Sequence, residues 1–540
     1  MATEETTDDP LTEQAGQSLR RARGRLFEAA LFGATMFGIF ALLVLIGYMV
    51  FDAFQPRSAS AEWYLLYFVT LVVPMAAFVQ RARERPLVKR TNTKVTAALV
   101  GGLLGSLLLY VVAGAVSPYD VLLYAVFTVL PPVAVAAYGR RSRNRVNTGP
   151  AIPVSIILGA AAATLAYPFI RPIIGIAAAW IAYYGFVTVP VAAGLAVVLA
   201  RRHSTSVGLT VAGAMLAATA ALAGALTTIG RNPSAWIVLF SGFLVPLGYV
   251  TVNMIRRNPG DPLTVAGPFI AIGGTLVGAV LERQLAIDGL DPFLTPTLIT
   301  TSWHNYNASE AGVYPQLVGS ILIVGVMAVL AFPVGIGAAI YLEEYAPESG
   351  VGGRLASLLK VNIANLAGVP SVVYGLLGLA LFRRTLGFGT GIVISAAGTL
   401  GLLILPIVIV STQEALRSVP DSLRQASYGM GASRWQTLRH VVLPEAIPGT
   451  LTGTILALAR AIGETAPLVI IAVAATTYSA PEGLFSSAAA LPLQVFAARS
   501  NVQEAFRHGV LPAAAIVLLV LMLLMNATAV IIRNRYDTEY

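Results

Sequence analysis

The 540-residue sequence contains no cysteine. That excludes a disulfide framework, a thiolate metal site and a cysteine nucleophile. Charge is scarce: only 11% of residues are Asp, Glu, Lys or Arg, against roughly 25% in a soluble domain, which is too few to cover a water-facing surface. Lysine is nearly missing, with Lys89, Lys94 and Lys360 alone, so 32 of the 35 basic residues are arginine. No Gly-Lys dipeptide occurs, which rules out a phosphate-cradling loop of the G-x-x-x-x-G-K-[ST] form. The four histidines, His203, His304, His440 and His508, are scattered without metal-ligand spacing, so each reads as a loop or interface residue and no metal site is expected. No Ser/His/Asp arrangement is recognisable, and no catalytic residue is expected.

What is abundant is apolar length. Hydrophobic residues make up 56% of the chain, and runs such as Val95–Tyr119 and Pro172–Ala200 carry no charge. A helix needs about 20 residues to cross a bilayer, and the sequence predicts an all-α polytopic membrane protein of about fourteen spans. Eight cores lie at 27–51, 63–80, 95–116, 119–138, 151–169, 173–200, 207–229 and 234–255. Six more lie at 263–283, 314–342, 355–382, 391–411, 449–475 and 508–532. The net charge of +9 does not point to nucleic acid, because the arginines cluster in short loops, as cytoplasmic loops do. The polar, then Arg-rich residues 1–26 lack the apolar core of a cleavable signal and read as a cytoplasmic tail. Alternation then puts the C-terminal tail in the cytoplasm too, with Arg383 and Arg384 outside, against the charge rule.

Basic clusters beginning at Arg81, Arg140, Arg201 and Arg256 follow the even-numbered spans, 59, 61 and 55 residues apart. Four helical hairpins would give that spacing, and so would a duplication. The stretch Arg256–Pro262 (RRNPGDP) is rich in helix breakers and is the natural boundary between a membrane domain at 27–257 and a second one at 258–540. The first eight spans hold no recognisable motif and no Arg/Glu pair like that at 460 and 464; they assign no function, and a scaffold, a packing shell or a regulatory module would each fit, the scaffold before the others.

The polar segment 412–448 is the most informative. Ser418-Val-Pro-Asp421 has the form of a capping box with Pro420 early in the helix, and Ser433-Arg-Trp-Gln436 is a second box. Two short helices, joined at Gly429 and Gly431 and closed by Pro444, would form a compact knob. Arg417, Arg424 and Arg434 read as solvated surface charges. An amphipathic loop lying on the bilayer would also use Arg434, Trp435 and Arg439, but it would not explain the spacing that follows. Gln425-Ala426-Ser427, then Gly431 after three residues, then Val441-Val442-Leu443-Pro444 after nine more, resembles the EAA loop of binding-protein-dependent ABC importers. Gln425 stands where the family has its acid. In that family the knob docks in a groove of the ATPase subunit.

A second feature lies in the span 449–475, whose only ionisable side chains are Arg460 and Glu464. Burial of either costs at least about 2.5–3.5 kcal/mol, and four residues' separation lets them pair on one helix face. Thr465 adjoins them, and Pro467 should kink the helix just beyond. The guanidinium fork suits phosphate oxygens, although a structural ion pair would use the same residues. The stretch Leu458–Leu468 (LARAIGETAPL) resembles the phosphate-importer permeases, its Thr-Ala-Pro-Leu ending the PstA type rather than PstC. Ala338–Ala346, Asn365–Gly375 and Leu491–Gln494 extend that likeness over about 260–540.

The resemblance implies a C-terminal six-helix type I ABC-importer permease domain, with Arg460, Glu464 and Thr465 in the translocation pathway. Gln425, Ala426, Ser427, Gly431, Leu443 and Pro444 would then couple to the ATPase. It further implies a transport subunit of the plasma membrane rather than an enzyme, with no cofactor in this chain and ATP and Mg bound by a partner ATP-binding subunit present as a dimer. A second, PstC-like permease and an extracytoplasmic phosphate-binding protein would complete the assembly, with membrane lipid around it and no nucleic acid. No water-facing segment exceeds the 37 residues of 412–448, so an ATPase or solute-binding domain must be a separate chain. Molybdate, sulfate or phosphonate importers share the loop, and an ion-coupled secondary transporter would also suit many spans with a buried charge pair.

Overall fold

The computed structural model describes residues 10–83, 85–141, 151–202, 204–257, 263–347 and 349–536. His203, part of the boundary stretch (258–262), Arg143 and Arg145 of the second basic cluster, and the ends of both tails lie outside them. The described residues are mostly helical, with irregular connections such as 286–295, 301–313 and 471–490, two isolated β-bridges and no strand. The first half comprises α1 (Pro10–Phe54), α2 (Ala61–Ala82), α3 (Pro86–Val116), α4 (Pro118–Arg141), α5 (Ala151–Ile174), α6 (Ala179–Arg202), α7 (Thr205–Thr228) and α8 (Ser234–Arg256). The second half has α9 (Leu263–Leu285), α10 (Tyr314–Tyr345), α11 (Gly350–Leu366), α12 (Ser371–Thr385), α13 (Val393–Arg417), α14 (Asp421–Gly429), α15 (Arg434–Gly463), α16 (Leu491–Ala498) and α17 (Phe506–Ile531).

Twelve of these helices are long and apolar enough to cross a membrane, thirteen if α11 and α12 together make one span. The expected span 151–169 is the helix α5, whose side chains are only partly described. The expected span 355–382 is not one helix. It breaks at 367–370, where Pro370 disfavours helix in the residue before it, and α11 and α12 meet at 111°. The first helix also begins well before its apolar core, at Pro10, so much of the expected tail is helical.

Proline shapes the long helices in a second way. A widened, π-helical turn ends two residues before Pro74, Pro190, Pro246, Pro444 and Pro512. Proline has no N–H and its ring crowds the carbonyl four residues back; widening the turn relieves both without ending the helix. In α2, α4, α6 and α8 the prolines Pro74, Pro131, Pro190 and Pro246 recur 57, 59 and 56 residues apart, each with a phenylalanine three to six residues before it. That second periodicity matches the spacing of the basic clusters and argues for four copies of one hairpin.

The best-buried core belongs to the second half. Here α10 packs along α13, and α13 along α15, around Met327, Leu400, Ile404 and Ala461, all buried. The halves meet in two layers. Within the apolar layer α1 lies along α17 and α3 along α10, with Val111 and Ala53 in one cluster with Leu317 and Phe506. Above it, at the end of α1, polar contacts stitch the chain together. The Gln55 side-chain amide donates to the His508 carbonyl at 3.0 Å, and the Phe293 amide donates to the Ala53 carbonyl at 2.9 Å. Asp52 lies 3.5 Å from His508, and the Tyr67 hydroxyl donates to Glu282 at 3.0 Å.

One charged pair sits in the first half that the sequence had not suggested. Arg171 at the end of α5 meets Asp120 at the start of α4 at 2.8 Å and lies over the Tyr119 ring. The residues are 51 apart, so no helical spacing announces them.

Between apolar helices in lipid the hydrophobic drive is weak, so the polar stitches should hold the halves in register. Residues 1–257 and 258–540, expressed as two chains, are expected to copurify. Asp52→Ala with Gln55→Ala should reduce the recovered complex by several-fold, each lost contact weighing about 0.5–1.5 kcal/mol.

Candidate functional site: a knob joined to a broken span

The polar segment folds as the expected knob, with differences in detail. Pro420, not Ser418, stands before the first residue of α14. Ser418 instead turns its hydroxyl back to the Ala415 carbonyl at the end of α13, because the chain is still leaving that helix there. Gly431 takes φ +82°, a left-handed conformation that glycine adopts without penalty, and this turn separates the two helices. The Ser433 box is present: its hydroxyl accepts from the Gln436 amide, and the Gln436 side chain accepts from the Ser433 amide at 2.8 Å.

Ser427 and Thr437 close the knob from inside, their buried hydroxyls 2.8 Å apart. Gln425, Ala426 and Gly431 face outward, as do Leu423, Tyr428, Met430 and Trp435. Apolar and aromatic side chains on a polar protrusion mark a surface made to be covered.

Two arginines expected to be solvated are anchors. Arg424 pairs with Glu344 at 2.6 Å and donates to the Leu416 carbonyl at 2.8 Å, with only 17% of its side chain exposed. Arg417 binds Glu343 through two nitrogens, at 2.7 and 3.1 Å, and Lys360 of α11 meets the same carboxylate at 3.1 Å. Arg434 lies over the Tyr345 ring at 5.7 Å. The Glu343-Glu344-Tyr345 end of α10 thus holds the knob from beneath. Sequence spacing could not show this, because the partners are 74 and 80 residues apart.

Pro444 does not close the second knob helix. The widened turn Leu438–Val442 carries the helix past it, with Leu443 and Pro444 half-buried at the base, and α15 runs unbroken from Arg434 to Gly463. At about 1.5 Å per residue this is a rod of roughly 45 Å, with the knob at one end and the Arg460–Glu464 pair at the other.

The rod stops at that pair. Helix ends at Gly463, Glu464 turns to an extended conformation (φ −76°, ψ 118°), and a one-turn helix restarts at Ala466–Ile470. The kink expected at Pro467, just beyond the pair, is thus a break three residues earlier, since Pro467 is suited to the first turn of a helix and not to its interior. Arg460 Nε lies 3.3 Å from Glu464 Oε1. The side chain of Arg460 is 47% exposed and that of Glu464 19%, and Thr465 beside them is half-buried. Thr452, Leu456, Arg460 and Gly463 form one exposed stripe along α15.

Behind the break, Gly375 of α12 admits the short helix: a Cβ there would stand 2.8 Å from the Ile470 Cβ and 3.0 Å from the Pro467 Cα. The irregular chain 471–490 satisfies its backbone against Gly391, whose amide donates to the Ile471 carbonyl at 2.8 Å and whose carbonyl accepts from Ala488 at 2.8 Å. At membrane depth such chain survives only where protein or a water-lined space surrounds it. A polar cluster that composition had not flagged sits beside it. Buried Gln316 donates to the Thr477 carbonyl at 3.3 Å and reaches Gln494 at 3.4 Å, and the Thr476 hydroxyl donates to Gln494 at 2.8 Å.

A family model described as "Binding-protein-dependent transport system inner membrane component" matches residues 331–538. The "Phosphate transport system permease protein PstA 1" of Mycobacterium tuberculosis is 38% identical over 225 residues, 41% of this chain and 70% of that protein. The PstA of Mycobacterium leprae is 44% identical over 161 residues, 30% of this chain and 51% of its own length. "Phosphate transport system permease protein PstC" of Haemophilus influenzae is 26% identical over 292 residues, 49% of this chain and 87% of that one. Among solved structures, the MetNI methionine ABC transporter in an inward-facing form aligns with a TM-score of 0.32 at 19% identity, over 42% of this chain and 94% of that chain.

Arg424→Ala leaves the Glu344 carboxylate buried without its partner and should lower stability by about 3–5 kcal/mol. Arg434→Ala removes only an exposed ring contact, worth about 0.5–1 kcal/mol. Thermal unfolding of the two purified variants measures the difference.

Proposed function

Because the chain belongs to the binding-protein-dependent transport system inner membrane components, in their PstA type, we propose that it is the permease subunit of an ATP-driven, binding-protein-dependent importer of inorganic phosphate. The relatives' names supply the solute. Membership of this family sets aside the ion-coupled secondary transporter.

The exposed stripe of α15 carries the reading furthest. An arginine left facing lipid in mid-span costs at least about 2.5–3.5 kcal/mol, so Arg460 calls for another polar surface opposite it. A second, PstC-like permease chain set against this face would enclose a path between the two chains, lined by Arg460, Glu464 and Thr465. The arginine fork suits the phosphate oxygens, and Glu464 holds the fork when the path is empty.

The drive would come from outside the chain, which has no nucleotide-binding loop. ATP and Mg would be bound by a dimer of ATPase subunits gripping the knob at Gln425, Ala426 and Gly431 together with the exposed Tyr428, Met430 and Trp435, while buried Ser427 holds the knob's shape from inside. Closure of the ATPase would push on α15 through Leu443 and Pro444 and move the break at Glu464. Phosphate would be delivered by an extracytoplasmic binding protein on the opposite face, and the knob and both termini would lie in the cytoplasm of a multi-pass plasma-membrane protein. The membrane domain 27–257 would serve as a scaffold beside the permease domain 258–540.

In proteoliposomes holding the whole assembly, phosphate is expected to stimulate ATP hydrolysis and to enter. Stimulation by molybdate, sulfate or phosphonate instead would move the solute to that oxyanion. Arg460→Ala should abolish uptake while the ATPase still copurifies; loss of assembly would make the pair structural. Met430→Asp with Trp435→Ala should release the ATPase and leave the membrane chain folded.

A further inference from the structure

A cavity of about 750 Å3 opens between α6, α7 and α8, at the ends of α6 and α8. With the bent pair α11–α12 counted as one span beside α9, α10 and α13, four spans separate α8 from the knob, which puts the cavity and the knob on one face. Its walls are hydrocarbon, among them Leu195, Val211 and Val252, and its rim is Arg202, Arg256 and Asn253. Arg202 donates to Asn253 at 3.1 Å and lies 5.8 Å from the Tyr249 ring. Tyr249 lines the same cavity, and its hydroxyl is buried with no hydrogen-bond partner among the described residues.

The charge at this rim has no internal counterweight. From residue 121 to residue 260 the chain holds ten arginines and not one Asp or Glu. Arg171 alone among them makes an ion pair within the described residues, and it does so with Asp120. A cation left unpaired at a membrane surface attracts anionic headgroups, and a guanidinium fork matches phosphate oxygens in geometry. A free anion would gain nothing from the apolar walls, and a water-soluble partner could not reach them.

We propose that this cavity is a binding site for an anionic phospholipid, its headgroup phosphate held by Arg202 and Arg256 and one acyl chain lying between α6, α7 and α8. Gly248 keeps the space open: a Cβ at that position meets nothing within 4 Å. The lipid would supply the negative charge that residues 121–260 lack and fix the helices around the cavity to one leaflet.

The test is lipid retention by the complete complex in nanodiscs of phosphatidylglycerol or phosphatidylcholine, followed by native mass spectrometry. Wild-type protein is expected to keep one phosphatidylglycerol at this site and no phosphatidylcholine. Arg202→Gln with Arg256→Gln should lower that retention about thirtyfold, the weight of two charges near a membrane surface. Gly248→Leu, which builds into open space and leaves both arginines, should lower it too, and decides the matter if the double variant does not fold. Equal retention of both lipids, or phosphatidylglycerol retention unchanged by these substitutions, overturns the proposal. Release of the lipid by saturating inorganic phosphate also overturns it, in favour of a site for the free anion.

Discussion

A helix that does not stop at a proline is the constraint from which the second half follows. Pro444 would end or kink an ordinary helix, yet the widened turn Leu438–Val442 lets α15 pass it. The second knob helix and the Arg460–Glu464 pair therefore belong to one continuous helix, capped by Ser433 at one end and ended at Gly463 at the other. A hinge at Pro444 would absorb a push on the knob; a continuous helix transmits it. The break lies where a charge pair, a short helix and an irregular segment meet, so movement of the rod reaches the residues best suited to meet an anion.

The anchoring of the knob makes the rod useful. Glu343 and Glu344 at the end of α10 hold Arg417 and Arg424 on the two elements that precede the rod, while α10 and α13 form the best-buried core. A carboxylate as enclosed as Glu344 is costly unless matched in charge and hydrogen bonding, which fixes the knob's position against α10. Force applied at Tyr428 or Met430 is thereby shared between the core and α15.

The first half is built on other terms. Its helices are mostly exposed to the surroundings and its buried clusters are small. Repeated proline and arginine positions, rather than a deep core, give it order. Its contacts with the second half combine apolar packing of α1 and α3 with polar stitches near Asp52 and Gln55.

Much of this was legible in the residues. Apolar runs without charge located nearly every span, since a bilayer imposes its thickness on composition. The Ser433 box and the Gly431 turn were readable because caps and left-handed glycines act within a few residues. The proline-phenylalanine register of the first half is equally local and lies in the sequence alone. What no local pattern could supply were pairings across long separations: Arg424 with Glu344, Arg171 with Asp120, Gln316 with Gln494. The chain alone determined which segments lie in lipid, where they turn, and which side chains are too costly to leave there unpaired. Only the tertiary structure decided that Pro444 is passed, that the span at 367–370 is broken, and that two apparent surface arginines are anchors. Passage or breakage at a proline turns on how the local backbone relaxes, and the arginine anchors on which neighbour lies within about 3 Å, a distance set by the packing of helices far apart in sequence.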